Sequence, residues 1–340
     1  MQEQVYRFSD KTGTRMRPFS ESALINSRSY SRGLQRVICD FGADHSFGKV
    51  NEKLKEHYGI QMPDSAARSI TEYHAAQMSG EDIYQIRQAE ADVVIGESDG
   101  SMIAIVEIPP IHEEKIGKTD RRKQRTLCWK EARLTLAHAK GSTAPCFAGT
   151  LESVETAGKQ LVTCVDRAGA HAKTQVYCIG DGAQWIANQV DEKFGTQGHY
   201  LIDFYHLCDY LSAAARCCAP GHEKIWMERQ KKAMKENRFA EVLLALRAHV
   251  EPAHVEEANA PVRACYRYIK NRPHQLDYQH AIDNELPIGS GEIESAHRYV
   301  LQKRLKIAGA WWKLDNAKHM INLRICRANN RWTDYWRKAA

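Results

Sequence analysis

Hydrophobic periodicity changes twice along the chain. From Tyr30 to about Gln77 it is helical: Leu34, Val37, Ile38 and Phe41 share one face, Gly42 interrupts, and Val50, Leu54 and Tyr58 mark a second helix over 47–58. Gly59-Ile60-Gln61-Met62-Pro63 reads as a break with Gly at the helix end, and Asp64 or Ser65 starts a third helix over 66–74. Helix, short Gly-containing turn, helix is the outline of a helix-turn-helix, in which Asp64, Ser65 and Arg68 face DNA; a plain three-helix packing element fits the same spacing. Residues 1–29 are polar, lack periodicity and read as a loosely held arm.

Beyond Ala91 the period shortens. Val93-Val94-Ile95 and the run from Met102 to Ile108 read as two strands of a hairpin turning at Asp99-Gly100, with a third strand over 127–136. Arg121-Arg122-Lys123 falls in a basic loop before it, either solvated or touching phosphates. Val176-Tyr177-Cys178-Ile179, a helix over 183–194, a strand over 199–204 and a helix from near Leu207 predict a partly parallel sheet covered by helices. Between about 212 and 286 the pattern is helical only (223–237, 239–250, 261–271), an apparent insertion carrying Trp226, Lys231 and Lys232. Helices over 292–307 and 315–328 follow, with Trp311-Trp312 between them. The fold class is α/β: a helix-turn-helix region over 30–90, the candidate DNA-binding part, and a second domain over 91–340, the candidate catalytic part, interrupted by the helical insertion over about 212–286.

Composition narrows this only slightly. The chain of 340 residues is 43% hydrophobic and 26% charged, as folded domains are, and its net charge of +6 permits a polyanionic partner without requiring one. No apolar stretch approaches membrane-spanning length and the N-terminus lacks a signal-peptide pattern, so a cytoplasmic protein without membrane contact is expected. Ten cysteines are then read as thiols; Cys217, Cys218 and His222, near Cys208, are poorly spaced for a tetrahedral zinc.

Three acids stand where chemistry would need them. Asp181 closes a strand at the carboxyl edge of the sheet, where α/β proteins bind ligands, and Asp99 lies on a neighbouring segment. A helix opening near Glu292 and Glu294 offers a third carboxylate; the two point about 200° apart, and Glu294 lies nearer the apolar stripe of Ile293, Ala296, Val300 and Leu301. Hard divalent ions take such oxygens, and a pair of ions activates the attacking oxygen and stabilises the leaving one in phosphodiester chemistry. Turn and helix-cap roles account for each acid taken singly.

The strings Ser98-Asp99-Gly100, Ile179-Gly180-Asp181-Gly182-Ala183-Gln184-Trp185-Ile186, Leu201-Ile202-Asp203-Phe204-Tyr205-His206 and Ile288-Gly289-Ser290-Gly291-Glu292-Ile293-Glu294-Ser295 resemble, in order, the signature blocks of bacterial insertion-sequence transposases of the Kra type, related to Mutator. Trp311-Trp312, Asn322-Leu323-Arg324 and Arg331-Trp332 with Tyr335-Trp336 resemble that family's C-terminal block. The resemblance implies an RNase H-like fold and a catalytic, metal-holding triad of Asp99, Asp181 and Glu294, its Gly-Ser-Gly-x-x-Glu pattern selecting Glu294 over Glu292. Two Mg²⁺ or Mn²⁺ ions are implied with it. It further implies that transposon terminal inverted repeats and target DNA are cleaved and joined, by at least a dimer. Asp203 and His206 are similar to an auxiliary element that touches phosphate, and Trp226 to a base-stacking aromatic. Lys231, Lys232, Lys303, Arg304 and Lys306 are candidates for neutralising phosphates. A catalytically silent DNA-binding regulator, or a nuclease or junction resolvase on the same fold, are the alternative expectations.

Overall fold

The computed structural model describes residues 4–7, 15–22, 30–107 and 125–338, and the side chains of all of these but 81–82. Arg121, Arg122 and Lys123 lie outside the described residues. Three helices follow from residue 32: α1 (Arg32–Asp44), capped by the Ser31 side chain, α2 (Phe47–Tyr58), closed by Gly59 at φ +65°, and α3 (Asp64–Gln77), started by Pro63. Contrary to the sequence expectation, Gly42 does not end α1. Its missing Cβ, which would stand 2.4 Å from Thr71 Oγ1, lets α3 approach while the helix continues.

Strands β1 (Val93–Glu107), β2 (Thr126–Ala139) and β3 (Cys146–Thr150) follow, then α4 (Val154–Arg167), β4 (Gln175–Gly180), α5 (Gln184–Phe194) and β5 (Gly198–Ile202). The helical stretch comprises α6 (Phe204–Cys218), α7 (Glu223–Lys235), α8 (Phe239–Arg247), α9 (Pro261–Lys270) and α10 (Tyr278–Asp283). Next come α11 (Gly291–Ala296), α12 (Leu314–Ala328) and α13 (Trp332–Lys338). The helix expected over 292–307 is α-helical over Gly291–Ala296, π-helical over His297–Gln302 and α-helical again over Lys303–Leu305.

The chain divides into two compact units. One comprises Ile86–Ser101 and Ala132–Ala296, the other Met1–Gln85, Met102–Glu131 and His297–Ala340. The C-terminal residues, read from the sequence as part of the catalytic domain, thus cluster with the N-terminal helices.

The first unit is α/β, with a mixed five-stranded sheet ordered β3-β2-β1-β4-β5. β1, β4 and β5 run parallel, and β3 is antiparallel to β2. The hairpin expected at Asp99-Gly100 does not form: β1 runs straight through it, hydrogen-bonded to a neighbour on each side. Continuation of one long strand outweighs the local turn preference of one Asp-Gly pair, and Asp99 Oδ1 instead accepts the N–H of Gly100 at 2.7 Å. β3 and α4 escaped the pattern reading. β3 is buried at every residue, so it shows no alternation, and α4 is announced by its Ser153 cap. The inserted helices pack on one another, α6 against α9 and α7, and α9 against α8.

In the second unit Ile38, Cys39, Val50, Leu54, Met62, Ala67 and Ile70 of the first three helices and their connections form one core with Trp336 of α13, flanked by Trp332 and Tyr335. Two short strands, Tyr6–Arg7 and Arg15–Met16, and a helical turn, Pro18–Ser22, form in the arm, and none of its described residues is buried.

Candidate active site

The register of the parallel strands decides what meets at the sheet's carboxyl edge. Glu97 pairs with Ile179, and Gly180 with Ile202. One or two residues past these last pairs come Asp99, still within β1, and Asp181 and Asp203, which directly follow the ends of β4 and β5. Residues level in a parallel pair share a face, and so do residues two apart in a strand, so Glu97 and Asp99 point to the same side of β1.

Each acid is set by a local device. Asp181 Oδ1 accepts the N–H of Ala183 at 2.8 Å, forming the turn into α5. Gly182 follows at φ +87°, its N–H donating to Tyr200 Oη at 3.0 Å. The Tyr268 hydroxyl of α9 donates to the Asp181 carbonyl at 3.0 Å and stacks on Tyr210 at 4.1 Å. The inserted helices thus reach the backbone of the central acid.

Asp203 is 3% exposed, and all its capacity is engaged within the fold. Oδ1 caps α6 by accepting the N–H groups of Tyr205 at 2.6 Å and His206 at 2.9 Å; Oδ2 accepts the N–H and hydroxyl of Ser290 at 2.5 and 2.6 Å. The carboxylate read as an auxiliary phosphate contact is therefore a latch: it joins the end of β5 to the loop that starts α11. α6 also starts at Phe204, three residues before its expected beginning, because this cap precedes it. His206, half-buried, lies 5.8 Å from Tyr210 and 6.3 Å from Tyr268, ring to ring.

Glu97 is the acid that sequence reasoning passed over. It is 2% exposed and accepts the N–H of Ile293, in the first turn of α11, at 2.8 Å. Burial pushes its carboxyl up to about 8; the Ile293 hydrogen bond opposes the rise, and the charges of Glu292, Asp203 and Glu294 add to it. The available signal was its place two residues before Asp99, on the same face of a strand.

Glu292 and Glu294 are both exposed on α11, so burial does not separate them. Glu292 lies 3.2 Å from Nε2 of the buried His138 on β2. Ile293 and Ala296 carry the apolar stripe expected of this helix.

Carboxylate oxygens are hard donors of the kind divalent cations take, and here the charges of Glu292, Asp203 and Glu294 all oppose a charge on Glu97. Among the described residues no group of three or more His, Cys, Asp or Glu side chains stands in ligand arrangement. That holds too for Cys208, Cys217, Cys218 and His222.

Of the residues expected to meet DNA, Ser65 and Arg68 are exposed on α3. Trp226 is half-buried on α7, where Lys231 pairs with Glu228 at 3.2 Å and Lys232 lies 3.9 Å from Glu236. Lys303 lies 3.5 Å from Asp44 and Lys306 is exposed. Arg304 is 2% exposed, its guanidinium 4.8 Å from the Phe47 ring and 4.7 Å from that of Trp312, while Nε donates to the Gly42 carbonyl at 2.8 Å. Expected as a surface phosphate ligand, it is a buried brace, because two aromatic faces and a helix carbonyl replace its water.

Among the described residues no helix is long and apolar enough to cross a membrane. No curated protein matches the chain. A family profile matches residues 151–338, a span that holds Asp181, Asp203, Ser290 and Glu294 but not Asp99. That match extends over more than half of the sequence, and the chain belongs to the uncharacterised protein family UPF0236.

Proposed function

We propose that the chain is a DNA transposase on an RNase H-like fold, with Asp99, Asp181 and Glu294 as its catalytic carboxylates. The observation that supports the reading best is the strand register: β1 pairs in parallel with β4 as far as Glu97 and Ile179, each two residues before Asp99 and Asp181. The mixed sheet with its flanking helices is compatible with that fold, and the helices between Asp181 and Glu294 with the insertion its family resemblance implies.

Asp99 and Asp181 would hold Mg²⁺ or Mn²⁺, and Glu294 would complete the set. When bound, two such ions supply activation of the attacking oxygen and charge relief at the leaving one. The chain's own residues do the positioning. The Asp203–Ser290 latch and the Glu97–Ile293 hydrogen bond fix the start of α11, and hence the backbone that carries Glu294. Tyr200 and Tyr268 clamp the Asp181–Gly182 turn. Lys231 and Lys232 on α7 would neutralise phosphates, and the joining of two DNA ends calls for at least two copies of the chain.

The test is divalent-ion-dependent cleavage and joining of duplex DNA taken from the flanks of the chain's own gene. Wild type should cleave with Mg²⁺ or Mn²⁺, and Asp181→Ala should lose more than about 100-fold, beyond what loss of a merely supporting residue costs. Equal cleavage by both proteins would sink the assignment; tight binding by wild type with no cleavage would make it a DNA-binding regulator.

A further inference from the structure

The second unit contains a cavity of about 530 Å³ that the proposed chemistry does not use. Its wall is a strand-like segment: Trp312 bridges Ile105 in parallel, and the N–H of Val106 donates to the Trp312 carbonyl at 2.7 Å. Neighbouring residues of an extended segment point to opposite faces. Trp312 is accordingly 5% exposed and turned inward, its Nε1–H donating to the Leu305 carbonyl at 3.1 Å, while Trp311 is 48% exposed.

What surrounds Trp311 is charged. The Arg125 guanidinium lies 4.1 Å from the centre of its ring, and Arg68 and Lys313 line the same cavity, both exposed. Glu72, the only acid among the described lining residues, accepts a hydrogen bond from Asn316 at 2.8 Å. A flat exposed indole held by a fixed backbone, three accessible cations, and one carboxylate beside one amide form a particular combination. Cations alone would suit any phosphate; the carboxylate would repel a bare one but matches the amino edge of a base. Stacking surface, phosphate partners and edge partners come together in an unpaired nucleotide. In a duplex both faces of each base are already stacked, so no indole can take them.

We infer that this cavity binds an unpaired nucleotide of single-stranded DNA. The base stacks on Trp311, its edge meets Glu72 and Asn316, and the flanking phosphates meet Arg68, Arg125 and Lys313. The inference rests on the proposed function only for the choice of DNA as polymer, and the indole is distinct from Trp226 on the inserted helices.

The test is fluorescence anisotropy of a labelled oligodeoxycytidylate of about twelve nucleotides, whose bases carry an amino edge, and of a duplex of equal length, with the full chain. Trp311 is exposed, so Trp311→Ala should keep the wild-type circular dichroism spectrum and melting curve. Its affinity for the single strand should fall about ten-fold while Trp311→Phe keeps most of it, the fall expected for one lost stacking partner. Duplex affinity should be unchanged in both variants. Single-strand binding by Trp311→Ala as tight as that of wild type would overturn the inference, as would an equal loss for duplex and single strand. If Trp311→Phe melts like wild type but binds as weakly as Trp311→Ala, the stacking role also fails. Asp181→Ala should bind the single strand normally, so a Trp311-dependent affinity in a protein that never cleaves DNA would retain this site and discard the transposase reading.

Discussion

A Cβ at Gly182 would lie 2.3 Å from the Tyr268 hydroxyl, in a backbone at φ +87° that side chains rarely adopt. Steric space and conformation therefore exclude alanine independently. The left-handed backbone alone costs about 1–2 kcal/mol, and relief of the clash would break the Tyr268 bond to the Asp181 carbonyl. Gly182→Ala should lower stability by about 2–3 kcal/mol in urea unfolding and move the Asp181 turn, with Tyr268→Phe milder because it removes one hydrogen bond and no backbone freedom. Equal stability of Gly182→Ala and wild type would refute the clamp. At this scale Asp181 was legible because a polar residue ended an apolar run. Glu97 was not, because an acid inside a strand looks like turn chemistry until its burial is known. Arg304 misled for the opposite reason: a basic residue on an exposed-looking stretch carries no sign that Phe47 and Trp312 enclose it.

Elements recognised by periodicity survived where one face is buried, as in α1, α2, α7 and α9; β3, buried on both faces, gave no period to read. Nor could sequence alone show which helices dock, since that depends on pairs far apart in the chain. Asp44, at the end of α1, illustrates it: its carboxylate takes charged partners from Arg324 and Arg327 of α12 and from Lys303. Burial raises its pKa, but Arg327, Arg324 and Lys303 together outweigh that and hold it below the usual carboxylate range. A depressed folded pKa means the unfolded chain binds the proton more readily, so this stabilisation is present above about pH 4 and lost as pH falls through the lower folded value. Asp44→Asn should therefore destabilise by about 2–3 kcal/mol at pH 7, since it strips the buried Arg324 and the half-buried Arg327 guanidinium groups of their counter-charge. The gap from wild type should narrow at pH 3. A gap of the same size at both pH values would show that shape, not charge, ties α1 to α12.

Over the whole chain the charge is positive, yet Glu292, Asp203 and Glu294 all oppose a charge on the buried Glu97, with Asp99 further along β1 and Asp181 just past the end of β4. Like charges so placed work against folding unless a cation joins them. Two opposite consequences follow. In the presence of chelator, Asp99→Asn combined with Asp181→Asn should melt higher than wild type, because it removes repulsion. With millimolar Mn²⁺ or Mg²⁺ wild type should gain: ligand at a hundred times its Kd adds about 2.7 kcal/mol, or a few degrees for a unit of this size. The double variant should show no such shift, so the two melting curves should approach or cross as cation is added. Differential scanning calorimetry with and without chelator reads both signs in one experiment. A parallel rise in both proteins would place the cation elsewhere on the chain. A double variant less stable than wild type in chelator would mean that the hydrogen bonds of Asp99 and Asp181 to Gly100 and Ala183 outweigh their repulsion, and that the acids serve the turns rather than an ion.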